Sequence, residues 1–312
     1  MKIERKLSVI IFILLLIIIF GSLIQFLYIE DGYNNIKHNT KYYNFCIEYL
    51  DENMKQSAIK NYPDFAQFAT DEECKEITQF KTTSDSAFSL YIDSLITGLN
   101  AYIIPFMLPL IITIPFIYII SKKFRSKDIK DYILRKKYKY YVKDIFKLAY
   151  KNIWFVPFMI ALLFILCFLI TKNINPEAGI YFGRADPILI TKYNNIYFYI
   201  IYLIILFLNI GIYINIGLTI LSKNKNFVVS YVETFIVIYL YLCINAIILG
   251  NLFQKYFNIS AEYFNLFNIY SFTYIDNVYI YLIINFINYI ITFLVAKYNY
   301  KDKEKLIMMC EK

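Results

Sequence analysis

The chain has 312 residues, 59% hydrophobic and 18% charged, with a net charge of +8 and a mean hydropathy of +0.49. A basic nucleic-acid binder needs its charge gathered on one accessible soluble face. Here the charge lies between long apolar runs, which excludes that class and predicts an all-α, polytopic transmembrane helical bundle.

Six uncharged apolar runs are each long enough to cross a bilayer, since about 20 apolar residues at about 1.5 Å rise span its roughly 30 Å hydrocarbon core. Residues 1–29 hold a short basic end and the first run. That run is too long for a signal peptide and no small-x-small cleavage site follows it, so it reads as a retained span with its basic end inside. Residues 30–93 are polar, with twelve acidic and six basic residues. Tyr42, Phe45, Ile47, Tyr49, Leu50, Phe65 and Phe68 supply apolar surface for a few packed helices, a small extracytoplasmic domain between spans one and two. Cys46 and Cys74 share this segment and can form a disulfide if it lies outside; Cys167, Cys243 and Cys310 read as packing or incidental residues.

Residues 94–312 carry the other five spans. The second contains Pro105, Pro109 and Pro115, each of which removes a backbone donor, so a kinked or broken helix is expected there, as a hinge or as an ordinary packing helix. Residues 122–151 then hold twelve of the 32 Lys and Arg. Ile129, Ile133, Tyr140, Ile145, Leu148 and Ala149 fall roughly on one side of this segment, and Lys130, Lys136, Lys137, Lys139, Lys143 and Lys147 elsewhere. That pattern predicts an amphipathic helix that lies against anionic headgroups or docks a cytosolic protein. Trp154 opens the third span at interface depth. Pro176, Gly179, Gly183 and Pro187 mark turns in the next loop, and Gly211 and Gly217 allow close contact in span four. Lys223 to Lys225 form a short turn before span five, which is predicted to end near Gln254; an aromatic loop, span six and a basic tail at residues 297–312 follow.

Charge orients this order. With the N-terminus inside, alternation assigns 22 of the Lys and Arg to cytoplasmic segments and 10 to the outer loops, as the positive-inside rule expects. The expectation is a multi-pass cell-membrane protein with both termini in the cytoplasm.

The chemistry for catalysis is sparse. No Gly precedes Lys, so there is no phosphate-binding loop, and His38 is the lone histidine. No enzymatic activity, cofactor or metal site is expected. Glu233 is the one acid flanked by apolar residues within a span; it either reaches interfacial water and Lys223 or Lys225, about 12 Å away along a helix, or serves substrate passage. Asn209, Asn215, Asn245, Asn285 and Asn288 are the other polar groups at that depth, read as helix adhesion.

The stretch YILRKKYKYYVKD at residues 132–144 resembles the basic R-x-x-Y…K segment between spans two and three of ABC-2-type transporter permease subunits, and LSKNKNF at 221–227 is similar to that family's short inner turn. The resemblance implies six spans, both ends inside, and a cytosolic elbow helix, here Tyr132, Arg135, Lys136, Lys137, Tyr138 and Lys143, that meets a separate ATP-binding cassette subunit. It also implies a second permease half, as a homodimer or heterodimer, and export of a peptide, antibiotic or lipid-like compound. A non-transporting sensor or immunity protein acting through the outer segment is the alternative.

Overall fold

The structure, a computed structural model, describes residues 32–79, 100–126, 128–172, 195–266 and 277–311, together with Leu90 and most positions from 9 to 29. Among these residues every regular element is helical. The short basic end ahead of the first run, the turn residues Pro176, Gly179, Gly183 and Pro187, and most of the aromatic loop before span six lie outside the described residues.

Four short helices, α1 (Gly32–Leu50), α2 (Lys55–Asn61), α3 (Pro63–Ala66) and α4 (Asp71–Gln79), form a small unit in which α1 packs against α2 and α4. Its core is Phe45, Cys46, Ala58 and Cys74, ringed by Tyr42, Tyr49, Tyr62 and Phe65. Cys46 and Cys74 are joined in a disulfide with their Cα atoms 4.9 Å apart. The exposed Lys55–Asp71 pair at 3.2 Å adds only about 0–1 kcal/mol, so apolar contact and the cross-link hold the unit. With so small a core, the cross-link carries much of its order.

The remaining helices are α5 (Asn100–Arg125), α6 (Asp128–Arg135), α7 (Tyr138–Ala149), α8 (Phe155–Thr171), α9 (Asn195–Leu221), α10 (Phe227–Cys243), α11 (Gly250–Phe257), α12 (Val278–Asn299) and α13 (Lys303–Glu311). Among the described residues, three helical stretches are long and apolar enough to cross a membrane: Leu203–Leu221 within α9, Phe227–Phe257 through α10 and α11, and Val278–Asn299, which is α12. Helix α8 is apolar but shorter, at 17 residues. Helix α9 is central; it packs most extensively on α12 and also on α5, α10, α8 and α7.

One sequence expectation is narrowed and one needs correction. Of a kinked or broken helix at Pro105, Pro109 and Pro115, the break is excluded, since α5 is one continuous helix from Asn100 to Arg125. In an apolar surrounding any non-helical backbone leaves still more groups unsatisfied than a proline does, so the helix survives. The basic segment, expected as one amphipathic helix, is two, because Lys137 takes an extended backbone (φ −62°, ψ 142°) between α6 and α7. That break resets the phase. In α7 the buried positions become Tyr141, Ile145 and Ala149, at i, i+4 and i+8, and Tyr140 points out at 53% exposure.

Span five also differs from a plain helix. Between α10 and α11 the turn Ile244–Leu249 widens to a π-helix, and the whole stretch reaches Phe257. Asn258 closes it in the left-handed region at φ 55°, donating to the Phe253 carbonyl, a common helix stop for asparagine.

Candidate functional site

Three of the four basic segments assigned to one membrane side, those at residues 122–151, 223–225 and 297–312, meet in space. Arg125, at the end of α5, donates from Nε to the Lys225 carbonyl and from Nη2 to Asn226 Oδ1, both at 3.3 Å. Lys225 Nζ in turn donates to the Cys310 carbonyl on α13 at 3.2 Å. Asn226 caps α10 through Val228 N–H, so one short turn ties α5, α10 and α13 together. Tyr138 OH donates to the Tyr300 carbonyl at 2.8 Å, and Phe146 packs edge-on against Phe293 and Tyr300. Helices α6 and α7 are therefore fixed to α5, α9, α12 and α13 rather than hanging free.

Within this layer the elbow residues divide by role. Tyr132 OH donates to Asp144 Oδ2 at 2.6 Å, and its ring meets Tyr141 edge-on, bracing α6 against α7. That hydrogen bond, with burial and the carboxylate charge adding to it, holds the Tyr132 phenol above the ordinary tyrosine range. Burial pushes Tyr138 up to about 12, with Asp302 and Cys310 adding to it, so the phenol stays neutral and a donor at physiological pH. Arg135, Lys136, Lys137 and Lys143 are exposed. The result is a braced helical pair with a cationic outer face.

A polar seam runs inward from the elbow between α9 and α12. Tyr150, just past α7, donates to Asn215 Oδ1 at 2.6 Å and lies 3.5 Å from the Tyr289 hydroxyl. Asn215 Nδ2 continues to Thr292 Oγ1 at 3.3 Å, and Asn209 Nδ2 donates to Asn285 Oδ1 at 2.8 Å. Tyr241 on α10 donates to Asn288 Oδ1. Asn245 Nδ2 donates to the Tyr241 carbonyl of its own helix, at 2.9 Å. Asn209 Oδ1 and Asn245 Oδ1 are buried with no hydrogen-bond partner among the described residues, which costs roughly 1–3 kcal/mol for each group left dry. Close approach of the helices rests on glycine: a Cβ at Gly211 would stand 2.5 Å from the Tyr289 ring, and one at Gly217 would stand 2.6 Å from Phe116.

Asn209, Asn215, Asn285 and Asn288 were legible as helix adhesion, Asn245 bonds instead to Tyr241 of its own helix, and the partners Tyr150, Tyr241 and Thr292 were missed. A signal existed: Tyr281, Asn285, Asn288 and Thr292 recur at spacings of three and four, a polar stripe on an otherwise apolar helix.

Glu233 stands apart from all of this. It lies on the exposed side of α10 and makes no ion pair with Lys223 or Lys225. Val229, Val232 and Ile236 surround it on the same face, each 39% to 49% exposed. Compared with known protein families, with curated proteins and with solved structures, the chain matches none.

Proposed function

We propose that this chain is the membrane half of an ATP-driven exporter of the ABC-2 type, a six-span permease subunit in the cell membrane with both termini in the cytoplasm. The observation that carries the reading is the braced elbow. Its exposed Arg135, Lys136, Lys137 and Lys143 offer a cationic face to a cytosolic partner, and Tyr150 links its far end to Asn215 in the central helix. A push on α6 and α7 by a separate ATP-binding cassette subunit reaches the α9–α12 seam through that bond, and alternating access follows from sliding of packed helices. Buried Asn209 Oδ1 and Asn245 Oδ1 are acceptors for a substrate or water at the seam. A second permease half completes the path.

Clustering of the basic turns and the tail on one side supports the inside assignment. The Cys46–Cys74 bond supports the outside assignment of residues 30–93, since disulfides persist in oxidising compartments.

The test is co-purification of the tagged chain from its native host in mild detergent. A stoichiometric ATPase bearing a phosphate-binding loop is expected. Reversing Arg135, Lys136, Lys137 and Lys143 to Glu should abolish that association while the chain still inserts. Recovery of the chain alone, under conditions that keep such complexes intact, overturns the proposal. The second reading, a non-transporting sensor or immunity protein, is favoured by one feature, the cross-linked four-helix unit of residues 32–79. Under that reading, ligand or partner binding persists in the isolated complex without any ATPase.

A further inference from the structure

We propose that the groove between α7 and the end of α12 binds an anionic phospholipid. The groove encloses about 760 Å³. Its rim carries three exposed ammonium groups, Lys139 from α7 and Lys297 and Lys301 from the end of α12 and just beyond it. Val142, Leu294 and Val295 form its apolar wall. Tyr138 and Tyr300 close its inner side, joined by the 2.8 Å bond from the Tyr138 hydroxyl to the Tyr300 carbonyl.

Three observations choose the occupant. The first is the wall, which continues along the outward face of α12: Ile287, Ile291, Leu294 and Val295 are 46% to 56% exposed and fall on one stripe, so an acyl chain laid in the groove runs on along the span. Position is the second. The groove sits where an apolar helix ends in Lys297 and Tyr298, the residue types that mark a membrane–water boundary, with Tyr298 75% exposed. The third is charge: three cations converge on the rim. The nearby carboxylate of Asp302, whose Oδ1 accepts the Lys305 N–H at 3.1 Å where it caps α13, offsets one of these charges and leaves the rim net positive. Basic pockets beside spans on the cytoplasmic side suit anionic headgroups. A diacyl lipid with a net negative headgroup satisfies all three; a peptide strand or free anion satisfies one or two.

This inference needs α12 to cross the membrane and is independent of any ATPase partner. The full chain, purified in mild detergent, is titrated with phosphatidylglycerol or phosphatidylcholine and the bound lipids are counted by native mass spectrometry. Phosphatidylglycerol should bind at least about tenfold tighter, and that preference should vanish in the K139Q/K297Q/K301Q triple variant. The variant K122Q/K151Q/K223Q, which removes three exposed lysines outside the groove, should keep it. A photoactivatable phosphatidylglycerol added to the wild-type chain should cross-link to peptides spanning residues 138–142 and 294–301, a readout that does not depend on any variant folding. Millimolar inorganic phosphate should leave the lipid bound. Equal binding of the two lipids, an unchanged preference in the first triple variant, cross-links confined to other helices, or displacement by phosphate alone overturns the proposal, the last by making a free anion the occupant.

Discussion

Two spans of equal mean hydropathy take opposite places in this molecule. Of the most apolar stretch of Leu203–Leu221, 72% is buried; of that in Phe227–Phe257, only 22% is. The first is the axis of the bundle, touching α5, α8, α10 and α12. The second presents a row of apolar side chains outward, among them Val232, Ile236, Leu240, Ile247 and Leu252. Hydropathy measures transfer into an apolar phase, and lipid tails are as apolar as a packed interior, so the index cannot tell them apart. Small and polar side chains can. Gly211 and Gly217 let neighbours approach α9, and Asn209 and Asn215 on it are fully buried and bonded across helices.

The largest effect should come from filling the closest approach. Gly211→Leu drives a side chain into the Tyr289 ring, which lies 2.5 Å from a mere Cβ, and Tyr289 itself touches the Tyr150 hydroxyl. Overpacking of this kind costs about 1–3 kcal/mol. Thermal melting followed by size-exclusion chromatography in detergent should show a clear loss. An unchanged profile would mean that α9 and α12 are not held this closely.

Next comes Asn215→Leu, which removes the acceptor of Tyr150 and the donor to Thr292. Tyr150 then keeps only its 3.5 Å contact with the Tyr289 hydroxyl and Thr292 its bonds to its own helix backbone, and about 1–2 kcal/mol is the expected loss. Because Tyr150 closes the elbow, the same change should also weaken any coupling between α7 and the spans. Ala in place of Tyr150 should reproduce both effects, and Phe should keep the packing while losing the bond.

How far the sequence carried can be argued from these residues. Helical class, the span boundaries near Leu221 and Asn299 and the buried asparagines were readable, because apolar run length and isolated polar groups are local signals. Three things were not. The break at Lys137 depends on one residue's backbone, yet it moves the buried face of the elbow from Tyr140 to Tyr141. Continuity of α5 through Pro105, Pro109 and Pro115 is decided by the surroundings, not by the prolines. Neither hydropathy nor charge said that Glu233 would face outward. The Cys46–Cys74 disulfide was readable as a possibility from the segment the two share, and the fold-back of α1 on α4 brings them together.

A smaller effect tests the seam at its other contact. In the cycle of Asn209→Ala with Asn285→Ala, the 2.8 Å bond should appear as a coupling of about 0.6 kcal/mol, since interhelical bonds between spans average that much. Each single variant also removes a donation to its own helix backbone, Ile205 for Asn209 and Tyr281 for Asn285, and the cycle cancels those. Zero coupling would reduce the seam to a set of independent side chains and remove the polar half of the contrast with Phe227–Phe257.

The smallest change is expected on the outward face, and it is also the one that can undo the comparison. If Val229, Val232 and Ile236 meet lipid, Glu233 lies near enough to the Lys225 end, about 12 Å along the helix, to stay hydrated there. Glu233→Gln should then leave stability within about 0.5 kcal/mol of wild type, as surface substitutions do. Ile236→Ala should behave alike, because no protein cavity forms where lipid fills the space. Should Glu233→Gln instead abolish a dimer seen by cross-linking in the native membrane, the face would be an interface between two copies of this chain. The contrast between the two spans would then be one of inner and outer protein contact, and the low burial of Phe227–Phe257 would belong to the single chain alone.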